Sequence, residues 1–583
     1  MFQERYQLWS TDPYFDEETR QELVGLSDSK EIEDRFYTDL EFGTGGLRGI
    51  LGAGTNRMNI YVIRKATQGL AEYIRDCGEE GMKRGVVIAY DSRRFSDRFA
   101  LEAALILAQN GVKAYLFDSL RPTPELSFAV RHLKAQAGIV VTASHNPKEY
   151  NGYKVYWEDG GQVPPDRADQ ILLRINARET WNDIHPLSED EARKKGLFVM
   201  IGEELDYAYL GQVKKLALYP ELIQAKGNTL SLVYTPLHGS GNIPVRRALQ
   251  ELGFSSVFVV PEQEQPDPEF STVPYPNPEI PSTFDLARKH GKELKADLLI
   301  ATDPDADRLG IVIHTPEGDY RQLTGNQVGT LMTYYLLTQK KELGILPKDA
   351  VIIKTIASTD CADILAKDLG VRVENVLTGF KFIAEKEHEM EENGSGNFQF
   401  GFEESYGYLA GHFVRDKDAV IAAVLLAEAT LYYKEIEGRT LIDVLDEISQ
   451  KYGYFADDQV SITLKGKEGK EEMDRIMAGL RAAEISCLGE IPIERIDDYE
   501  LRMGKRLTKE AQENYPLSLP QSNVLRYSFH GGGFVMARPS GTEPKIKFYF
   551  NVKSSNPDTL QDTLTQVKND LLKRVQMILG KEI

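Results

Sequence analysis

The segment after residues 138–141 places a hydroxyl and an imidazole at the end of an apolar run. Such a run predicts a buried strand, and open parallel sheets carry their ligand chemistry beyond the carboxyl ends of their strands. Ser144 is therefore a candidate nucleophile. His145 is adjacent, and because neighbouring side chains diverge on an extended backbone, a simple Ser/His pair is not expected. A polar turn that merely ends a strand is the competing interpretation.

Three carboxylates alternate along a second segment, which also follows an apolar run at 298–301. Asp303, Asp305 and Asp307 can converge on one side of an extended loop, where their mutual repulsion favours a bound cation. Hard oxygen ligands suit Mg²⁺. A calcium loop is disfavoured, because Arg308 stands where that loop needs glycine and His314 where it needs glutamate. A solvated acidic turn remains the alternative.

Two further polar segments, 400–407 and 538–545, carry groups that suit sugar hydroxyls and phosphate. Carboxylate and hydroxyl side chains bind sugar hydroxyls, and Arg with hydroxyls and backbone N–H groups can hold phosphate. Alone, each segment is a weak signal, and the second is also compatible with a hairpin turn. The candidates are Glu403 and Ser405 in the first segment, and Arg538, Ser540, Gly541 and Thr542 in the second.

Alternating strand and helix patterns position these segments. The rhythm runs through 85–142, returns at 230–301 and again at 326–436, and changes to strands with two helices after about residue 452. The predicted fold class is α/β: three similar doubly wound, parallel α/β domains and a C-terminal α+β domain around a central cleft. The Pro- and Glu-rich stretch 262–281 is predicted to be a solvated surface loop. The predicted domains are 1–208 with the serine loop, 209–325 with the aspartate loop, 326–452 with the sugar loop and 453–583 with the phosphate loop.

Composition limits the partners. The chain has 583 residues and a net charge of −20, which disfavours nucleic acid and anionic membranes as partners. Its three cysteines share no metal or disulfide spacing, so we expect a reducing, cytoplasmic location. No apolar run reaches the length of a membrane span, and the first residues lack a signal-peptide pattern. An anionic substrate would need a local cluster of Arg and Lys.

Taken in order, the four segments resemble the phosphoserine, metal, sugar and phosphate loops of the α-D-phosphohexomutase family. The resemblance covers nearly the whole chain. It extends to an Arg-bearing segment at 42–49, a further sugar loop at 377–381 and a Lys-bearing segment at 415–418. The sequence departs from the family at Phe402, where many relatives have glycine. It also has Gly407 where some relatives have a histidine, so proton transfer by a histidine at that position is excluded in this chain. The amino-acid sequence of the sugar loop resembles that of the family's longer branch, which contains phosphoglucomutases and members active on pentose phosphates.

The resemblance implies a Mg²⁺-dependent phosphosugar mutase that carries phosphate on Ser144. Lys154 matches a position assigned to acid/base work, which requires that burial or cationic neighbours, the metal site included, lower its pKa. The implied cofactors are Mg²⁺ and glucose 1,6-bisphosphate as primer, and the implied partners are small sugar phosphates. The implied catalytic residues are Ser144, His145, Lys154, Arg48 and Lys417; the metal ligands are Ser144, Asp303, Asp305 and Asp307. The implied substrate-binding residues are Arg308, Thr378, Gly379, Lys381, Glu403, Ser405, Arg538, Ser540, Gly541 and Thr542.

Glucose is the favoured sugar, with pentose or mannose phosphates as alternatives, and the oligomeric state is left open. Two other classes of function fit the same loops: a phosphatase, in which water attacks the phosphoserine, and a silent sugar-phosphate binder. No dedicated water-activating base supports the first. The intact Ser144 and aspartate triad argue against the second.

Overall fold

The computed structural model of the chain describes residues 2–43, 45–178, 180–315, 318–464, 466–507, 512–540 and 545–581. The chain forms two compact units. Unit 1 comprises the residues up to Leu323 together with Tyr406–Gly438. Unit 2 comprises Thr324–Ser405 and the residues from Arg439 onward.

The first part of unit 1 is a mixed sheet covered by helices. Its helices are α1 Phe2–Thr11, α2 Glu17–Val24, α3 Ser29–Phe36, α4 Ile60–Asp76, α5 Gly78–Arg84, α6 Ser96–Gln109, α7 Thr123–His132, α8 Pro165–Asn176, α9 Glu189–Lys194 and α10 Glu203–Lys214. Its strands are β1 Gly46–Ile50, β2 Val86–Tyr90, β3 Ala114–Phe117, β4 Ala137–Val141, β5 Tyr150–Trp157 and β6 Phe198–Ile201. The strand order is β1-β5-β4-β2-β3-β6.

The predicted parallel rhythm holds for four of these strands, because β4, β2, β3 and β6 pair in parallel. The remaining two, β5 and β1, pair antiparallel at one edge and were not predicted. Apolar residues fill β2 and β4 on both faces, as expected for a sheet with helices on either side. Ser96 begins α6 but does not cap it: its hydroxyl donates to Asp91 Oδ1 at 2.8 Å.

The second part of unit 1 repeats this plan on a smaller scale. Its helices are α11 Pro220–Lys226, α12 Asn242–Leu252, α13 Pro261–Glu264 and α14 Asp285–Leu294. Its strands are β7 Leu232–Thr235, β8 Val257–Val259, β9 Leu298–Thr302, β10 Leu309–His314 and β11 Tyr320–Gln322, in the order β11-β10-β9-β7-β8. Strands β8, β7 and β9 are parallel, whereas β10 and β11 are antiparallel.

The stretch 262–281 is not the solvated loop that its composition predicts. It begins in α13, and Phe270 and Val273 are buried in the same apolar core as Leu237 and Phe284. Several of its charged residues are held in ion pairs, among them Glu279 with Arg308. Charge and proline content therefore hid a segment that is anchored to the core by two apolar side chains.

The third part of the chain continues the alternation of helices and strands. Its helices are α15 Gly325–Glu342, α16 Cys361–Asp368, α17 Phe380–Asn393, α18 Ala419–Tyr432 and α19 Leu441–Tyr452. Its strands are β12 Ala350–Thr355, β13 Arg372–Val376, β14 Asn397–Glu403 and β15 Gly407–Leu409. In unit 2, β12 pairs in parallel with both β13 and β14.

Helix α18 belongs to unit 1 and is buried along its whole length. Its Glu428 accepts a hydrogen bond from the backbone N–H of Tyr219 at 2.7 Å, and Asp418, which caps its first turn, accepts one from Tyr209 at 2.7 Å. It is strongly apolar but has only 14 residues. Among the described residues, no helix combines the length and hydropathy needed to cross a bilayer.

The C-terminal part of unit 2 is the predicted α+β module. Its helices are α20 Gly466–Ala482 and α21 Pro557–Leu579. Its strands are β16 Tyr454–Thr463, β17 Cys487–Leu488, β18 Ile491–Asp498, β19 Met503–Leu507, β20 Gln512–Pro516, β21 Leu525–Phe529, β22 Gly533–Pro539 and β23 Lys545–Ser554. The main sheet has the order β16-β23-β22-β21-β18-β19-β20, and its pairs are antiparallel.

Within unit 2 this module packs directly on the third α/β part. Ile356 and Leu377 share an apolar cluster with Phe534 and Tyr549. Buried polar contacts cross the same contact surface: Arg526 pairs with Asp360 at 2.8 Å. The two parts therefore form one packed body. The predicted domain boundaries remain a prediction.

Candidate active site

Ser144 lies in a tight turn directly beyond β4. Its φ of 51° is left-handed, a conformation uncommon for residues with a side chain and frequent at functional sites. The Ser144 hydroxyl donates to Asp303 Oδ2 at 2.7 Å, and its own backbone N–H donates to Thr142 Oγ1 at 2.8 Å. The expectation that an extended backbone separates Ser144 from His145 is wrong, because the turn brings Ser144 Oγ to 3.2 Å from His145 Nδ1.

The three aspartates after β9 converge as predicted. Asp303, Asp305 and Asp307 are buried, and each offers an oxygen within 4.8 Å of the others. The backbone N–H groups of Asp307 and Arg308 donate to Asp303 Oδ1 at 3.2 and 3.0 Å, which turns the loop back on itself. Gly239 packs against this loop so closely that a Cβ there would lie 2.5 Å from Pro304 Cα.

The donor set fits a hard divalent cation. Asp305 Oδ1 and Asp307 Oδ1 are buried and have no hydrogen-bond partner among the described residues, which is costly for carboxylate oxygens unless something else neutralises them. Burial and the two neighbouring carboxylates raise the pKa of Asp303 well above its usual value. Burial also acts to raise the pKa of Asp305, but the Lys154 ammonium outweighs it and lowers that pKa. Clustered acidic oxygens of this kind are the ligands that Mg²⁺ prefers.

Two lysines contact the aspartate cluster. Lys154 on β5 lies 2.8 Å from Asp305 Oδ2 and 3.6 Å from Asp307 Oδ2, and Lys417 lies 3.1 Å from Asp307 Oδ2. Burial acts to lower the pKa of Lys154, whereas the charges of the Asp305 and Asp307 carboxylates raise it above its usual value. The acid/base role expected for Lys154 stays a prediction. The antiparallel strand β5, which the sequence did not predict, is what brings Lys154 to the cluster.

Two of the predicted arginines, Arg48 and Arg308, also belong to unit 1. Arg48, exposed on β1, donates to Asn146 Oδ1 at 3.1 Å and thus contacts the turn of Ser144. Arg308 donates to Glu279 at 2.5 Å. Unit 1 therefore brings together every predicted residue of the serine and aspartate loops with Lys154, Lys417 and Arg48.

A further group of polar residues, which was not predicted from the sequence, lies beyond β2. Asp91 accepts hydrogen bonds from the hydroxyls of Thr142 at 2.6 Å and Ser96 at 2.8 Å, and Arg93 donates to the carbonyls of Ser144 and Asn146. Strand β2 lies beside β4, so their carboxyl ends meet. The rule that selected Ser144 and Asp303, polar residues directly after an apolar run, would also have selected Asp91.

The predicted sugar and phosphate residues lie in unit 2. Glu403 is buried at the end of β14, and Glu404 beside it accepts from Thr355 Oγ1 at 3.0 Å. Burial and the charge of Glu403 raise the pKa of Glu404 to about 7. Ser405 follows and is partly buried.

A second group in unit 2 surrounds the start of α17. Gly379, with a φ of 123°, precedes the helix, and the buried Thr378 Oγ1 has no hydrogen-bond partner among the described residues. Burial lowers the pKa of Lys381, and the nearby charge of Arg538 adds to this effect. The backbone N–H of Ser540 donates to the backbone carbonyl of Lys545 at 2.8 Å. Gly541 and Thr542 lie outside the described residues.

Family comparisons agree with this arrangement. Three models of one family match consecutive parts of the chain: "Phosphoglucomutase/phosphomannomutase, alpha/beta/alpha domain I" at residues 39–181, domain II at 208–318 and domain III at 324–452. The chain belongs to the phosphoglucomutase/phosphomannomutase family. The predicted family is confirmed, and so is the predicted fold class of three α/β domains followed by an α+β domain. The central cleft stays a prediction.

Curated relatives carry a more specific name. A phosphoglucomutase of Staphylococcus haemolyticus is 39% identical over 90% of this chain and 92% of its own length. One of Staphylococcus epidermidis is 38% identical over 94% of this chain and 96% of its own.

Solved structures share the fold at lower identity. A family protein of Burkholderia thailandensis is 18% identical, with a TM-score of 0.65 over 93% of this chain and 98% of its own. The open form of parafusin, a phosphoglucomutase of Paramecium, is 17% identical, with a TM-score of 0.65 over 93% of this chain and 95% of its own.

Proposed function

We propose that this chain is a phosphoglucomutase that interconverts α-D-glucose 1-phosphate and glucose 6-phosphate through a phosphoserine and a glucose bisphosphate. The observation that carries the proposal is the 2.7 Å contact of Ser144 Oγ with the buried aspartate cluster, flanked by Lys154 and Lys417. A serine hydroxyl is a poor nucleophile unless its surroundings stabilise the charge that develops on oxygen. The name shared by the staphylococcal relatives favours glucose over mannose or pentose phosphates.

Asp303, Asp305 and Asp307 would hold Mg²⁺, with an oxygen from the phosphorylated Ser144. The chemistry that such an ion supplies when bound is Lewis acidity, which offsets negative charge on the transferring phosphoryl group. The chain's own cations, Lys154 and Lys417, act in the same direction. Phosphoryl transfer depends mainly on positioning and electrostatics, so this arrangement suits it.

The reaction has two half-reactions. In the first, the free hydroxyl oxygen of the sugar monophosphate forms a bond to the phosphorus on Ser144, and the bond from phosphorus to Ser144 Oγ breaks. The hydroxyl proton is transferred, in the net balance, to Ser144 Oγ. In the second, Ser144 Oγ takes the other phosphoryl group of the bisphosphate, and that sugar oxygen regains a proton. The candidate proton carriers are His145, Lys154 and Lys417.

The residues of unit 2 would bind the substrate. Glu403 and Ser405 offer acceptors and a hydroxyl for the sugar ring. Lys381, Thr378 and Gly379 surround a helix start, which favours anionic or polar groups. Arg538 and Ser540, with Gly541 and Thr542, would hold the phosphate that is not reacting, since charge-assisted contacts from Arg to phosphate are strong.

A substrate panel tests the proposal. Glucose, mannose, ribose and deoxyribose 1-phosphates are each incubated with the protein, Mg²⁺ and a trace of glucose 1,6-bisphosphate, and isomers and inorganic phosphate are separated. We expect conversion of glucose 1-phosphate to be fastest and release of inorganic phosphate to be negligible. Predominant phosphate release would identify a phosphatase, and binding without conversion a silent binder. Faster conversion of another sugar would move the assignment to that substrate.

A further inference from the structure

The turn that carries Ser144 is held by one buried guanidinium. Arg93 Nη2 donates to the carbonyls of Ser144 and Asn146, both at 2.5 Å. Its Nη1 donates to those of Pro147 at 2.8 Å and Tyr150 at 3.1 Å. The carbonyls of Ser144 and Asn146 lie in an irregular turn outside the strand ladder, so they need another donor. The Pro147 carbonyl also accepts from Tyr150 N–H at 3.1 Å. The fixed fork of Arg serves several at once, which a lysine cannot do.

The Arg93 side chain is itself fully buried. Its charge is balanced by Asp91, whose Oδ2 lies 3.3 Å from Arg93 Nε, and both side chains are 0% exposed. A buried ion pair stabilises little by itself, because both charges lose their hydration. Its value here is geometric: it fixes the position of the fork relative to the serine turn.

A residue from the second part of unit 1 supports the guanidinium. The ring of Phe270 lies 5.0 Å from Arg93 Cζ, and Phe270 is only 2% exposed. Its φ of 45° is left-handed, which is unfavourable for an aromatic residue and persists only where the surroundings enforce it. Asp267 enforces it: Asp267 Oδ2 accepts from the N–H and hydroxyl of Ser271, and its carbonyl accepts from Phe270 N–H at 3.1 Å.

The same segment contacts the serine turn a second time. Glu269 accepts from Lys148 Nζ, which lies within the turn, at 3.1 Å and from Arg94, the residue that follows Arg93. Phe270 and Glu269 are consecutive, so the segment holds the turn through an aromatic face and a carboxylate together. This is the stretch whose composition predicts a solvated loop.

We propose that Arg93, seated on Phe270, is a positioning residue for phosphoryl transfer: it fixes the 144–150 turn so that Ser144 Oγ faces the aspartate cluster. The inference rests on the proposed function, because it assigns a role in the reaction of Ser144. Neither residue touches the reacting atoms. A displacement of about 1 Å at a reacting centre can lower a rate about 100-fold, so looser support of the turn should be visible in the transfer step.

The test compares Phe270→Leu with wild type and with Phe198→Leu. Phe198 is also buried beneath an arginine, Arg193, at 4.6 Å, so its replacement removes a similar contact on β6. The measurement is the single-turnover rate at which glucose 1,6-bisphosphate phosphorylates Ser144, followed by mass spectrometry. The substrate KM, the Mg²⁺ affinity and the thermal midpoint are measured for each protein.

We expect Phe270→Leu to transfer phosphate about 10-fold more slowly, with KM and Mg²⁺ affinity close to those of wild type and a thermal midpoint lowered no more than that of Phe198→Leu. Phe198→Leu should transfer at the wild-type rate. Arg93→Lys, which keeps the charge but loses the fork, should be slower still wherever its thermal midpoint shows that it folds.

A Phe270→Leu variant that transfers as fast as wild type, or that slows no more than Phe198→Leu, would overturn the inference while leaving the proposed function intact. A wild-type protein that never phosphorylates Ser144 would instead overturn the proposed function and this inference with it.

Discussion

At the scale of single residues, the two carboxylate oxygens of Asp305 have different surroundings. One of its oxygens pairs with Lys154 at 2.8 Å and accepts from Thr123 at 3.0 Å, while the other is buried and has no hydrogen bond to any residue that the structure describes. The first oxygen anchors the loop and the second is available to a cation. The residue therefore joins the structural and the proposed metal-binding roles of the loop.

Asp305→Asn should weaken Mg²⁺ binding at least about 10-fold and lower turnover about 100-fold, because a neutral amide replaces one of three anionic ligands. Titration calorimetry with Mg²⁺ and the mutase assay measure the two effects. Asp319→Asn, at an exposed position whose carboxylate pairs with Lys292, is the matched control and should change neither. Unchanged Mg²⁺ affinity in Asp305→Asn would show that the cluster does not hold the metal.

At the scale of elements, the sequence predicted the two strands, β4 and β9, that precede the serine and aspartate loops, and both are buried on both faces. β2, β4 and β9 are almost continuous apolar runs, and a polar residue follows each of them directly, although Asp91 after β2 was not selected as a candidate. The antiparallel strand β5 was missed because Lys154 and Asn151 interrupt its apolar pattern. Lys154 faces the aspartate cluster. Because a charged side chain stands there in place of an apolar one, the apolar pattern that would have predicted the strand is broken.

The part of the candidate site that follows apolar strands could be predicted from the sequence, and the rest of the site could not. Ser144 and the aspartates follow apolar runs in sequence, which makes them visible without a structure. Arg93 and Phe270 were not predicted, because a buried arginine needs partners that come from distant parts of the chain. Their roles depend on tertiary contacts that no local pattern encodes.

Helix α18 gives a prediction at this scale. Asp418 caps the helix by accepting from the backbone N–H of Ile421 at 2.9 Å, and burial raises the pKa of Asp418 to about 7. Since this pKa exceeds the value of 3.8 for a free carboxyl, the folded protein binds the proton more tightly than the unfolded chain. The stabilisation from that proton is complete below about pH 4 and is lost as the pH rises towards 7.

Asp418→Asn should therefore flatten the pH dependence of stability. As the pH rises from 5 to 8, the free energy of unfolding of the variant should increase relative to that of wild type by an amount on the order of 3 kcal/mol. Thermal scans at several pH values measure this difference. Asp28→Asn alters an exposed cap on α3 and serves as the control. A difference between variant and wild type that does not change with pH would contradict the assignment of a titrating cap.

For the whole molecule, the net charge of the chain has the same negative sign as the charge of the proposed substrate. The chain carries a net charge of −20, so an anionic sugar phosphate must be bound by a local concentration of cations. In unit 2 such cations are present in Lys381 and Arg538, whose charges influence one another. Arg538 is far along the chain from Ser144, and its contribution to the reaction tests whether the C-terminal module takes part in it.

Arg538→Ala should raise KM for glucose 1-phosphate about 10- to 100-fold, because a charge-assisted contact to phosphate is lost. It should also release more bisphosphate into solution and need more added glucose 1,6-bisphosphate for full activity. Steady-state kinetics and isotope exchange with free bisphosphate measure both. Arg506→Ala, at an exposed arginine on β19 of the same module, is the control. Unchanged KM and exchange in Arg538→Ala would remove the C-terminal module from the proposed mechanism.

The phosphorylation state of Ser144 tests the central claim most directly. Purified protein is incubated with Mg²⁺ and glucose 1,6-bisphosphate, analysed by intact mass and peptide mapping, and then chased with glucose monophosphate. We predict one phosphate per chain on the peptide that contains Ser144, its loss during the chase with formation of glucose bisphosphate, and neither event in Ser144→Ala. A phosphate located elsewhere, or mutase activity that survives in Ser144→Ala, would contradict the proposal that Ser144 carries the phosphoryl group.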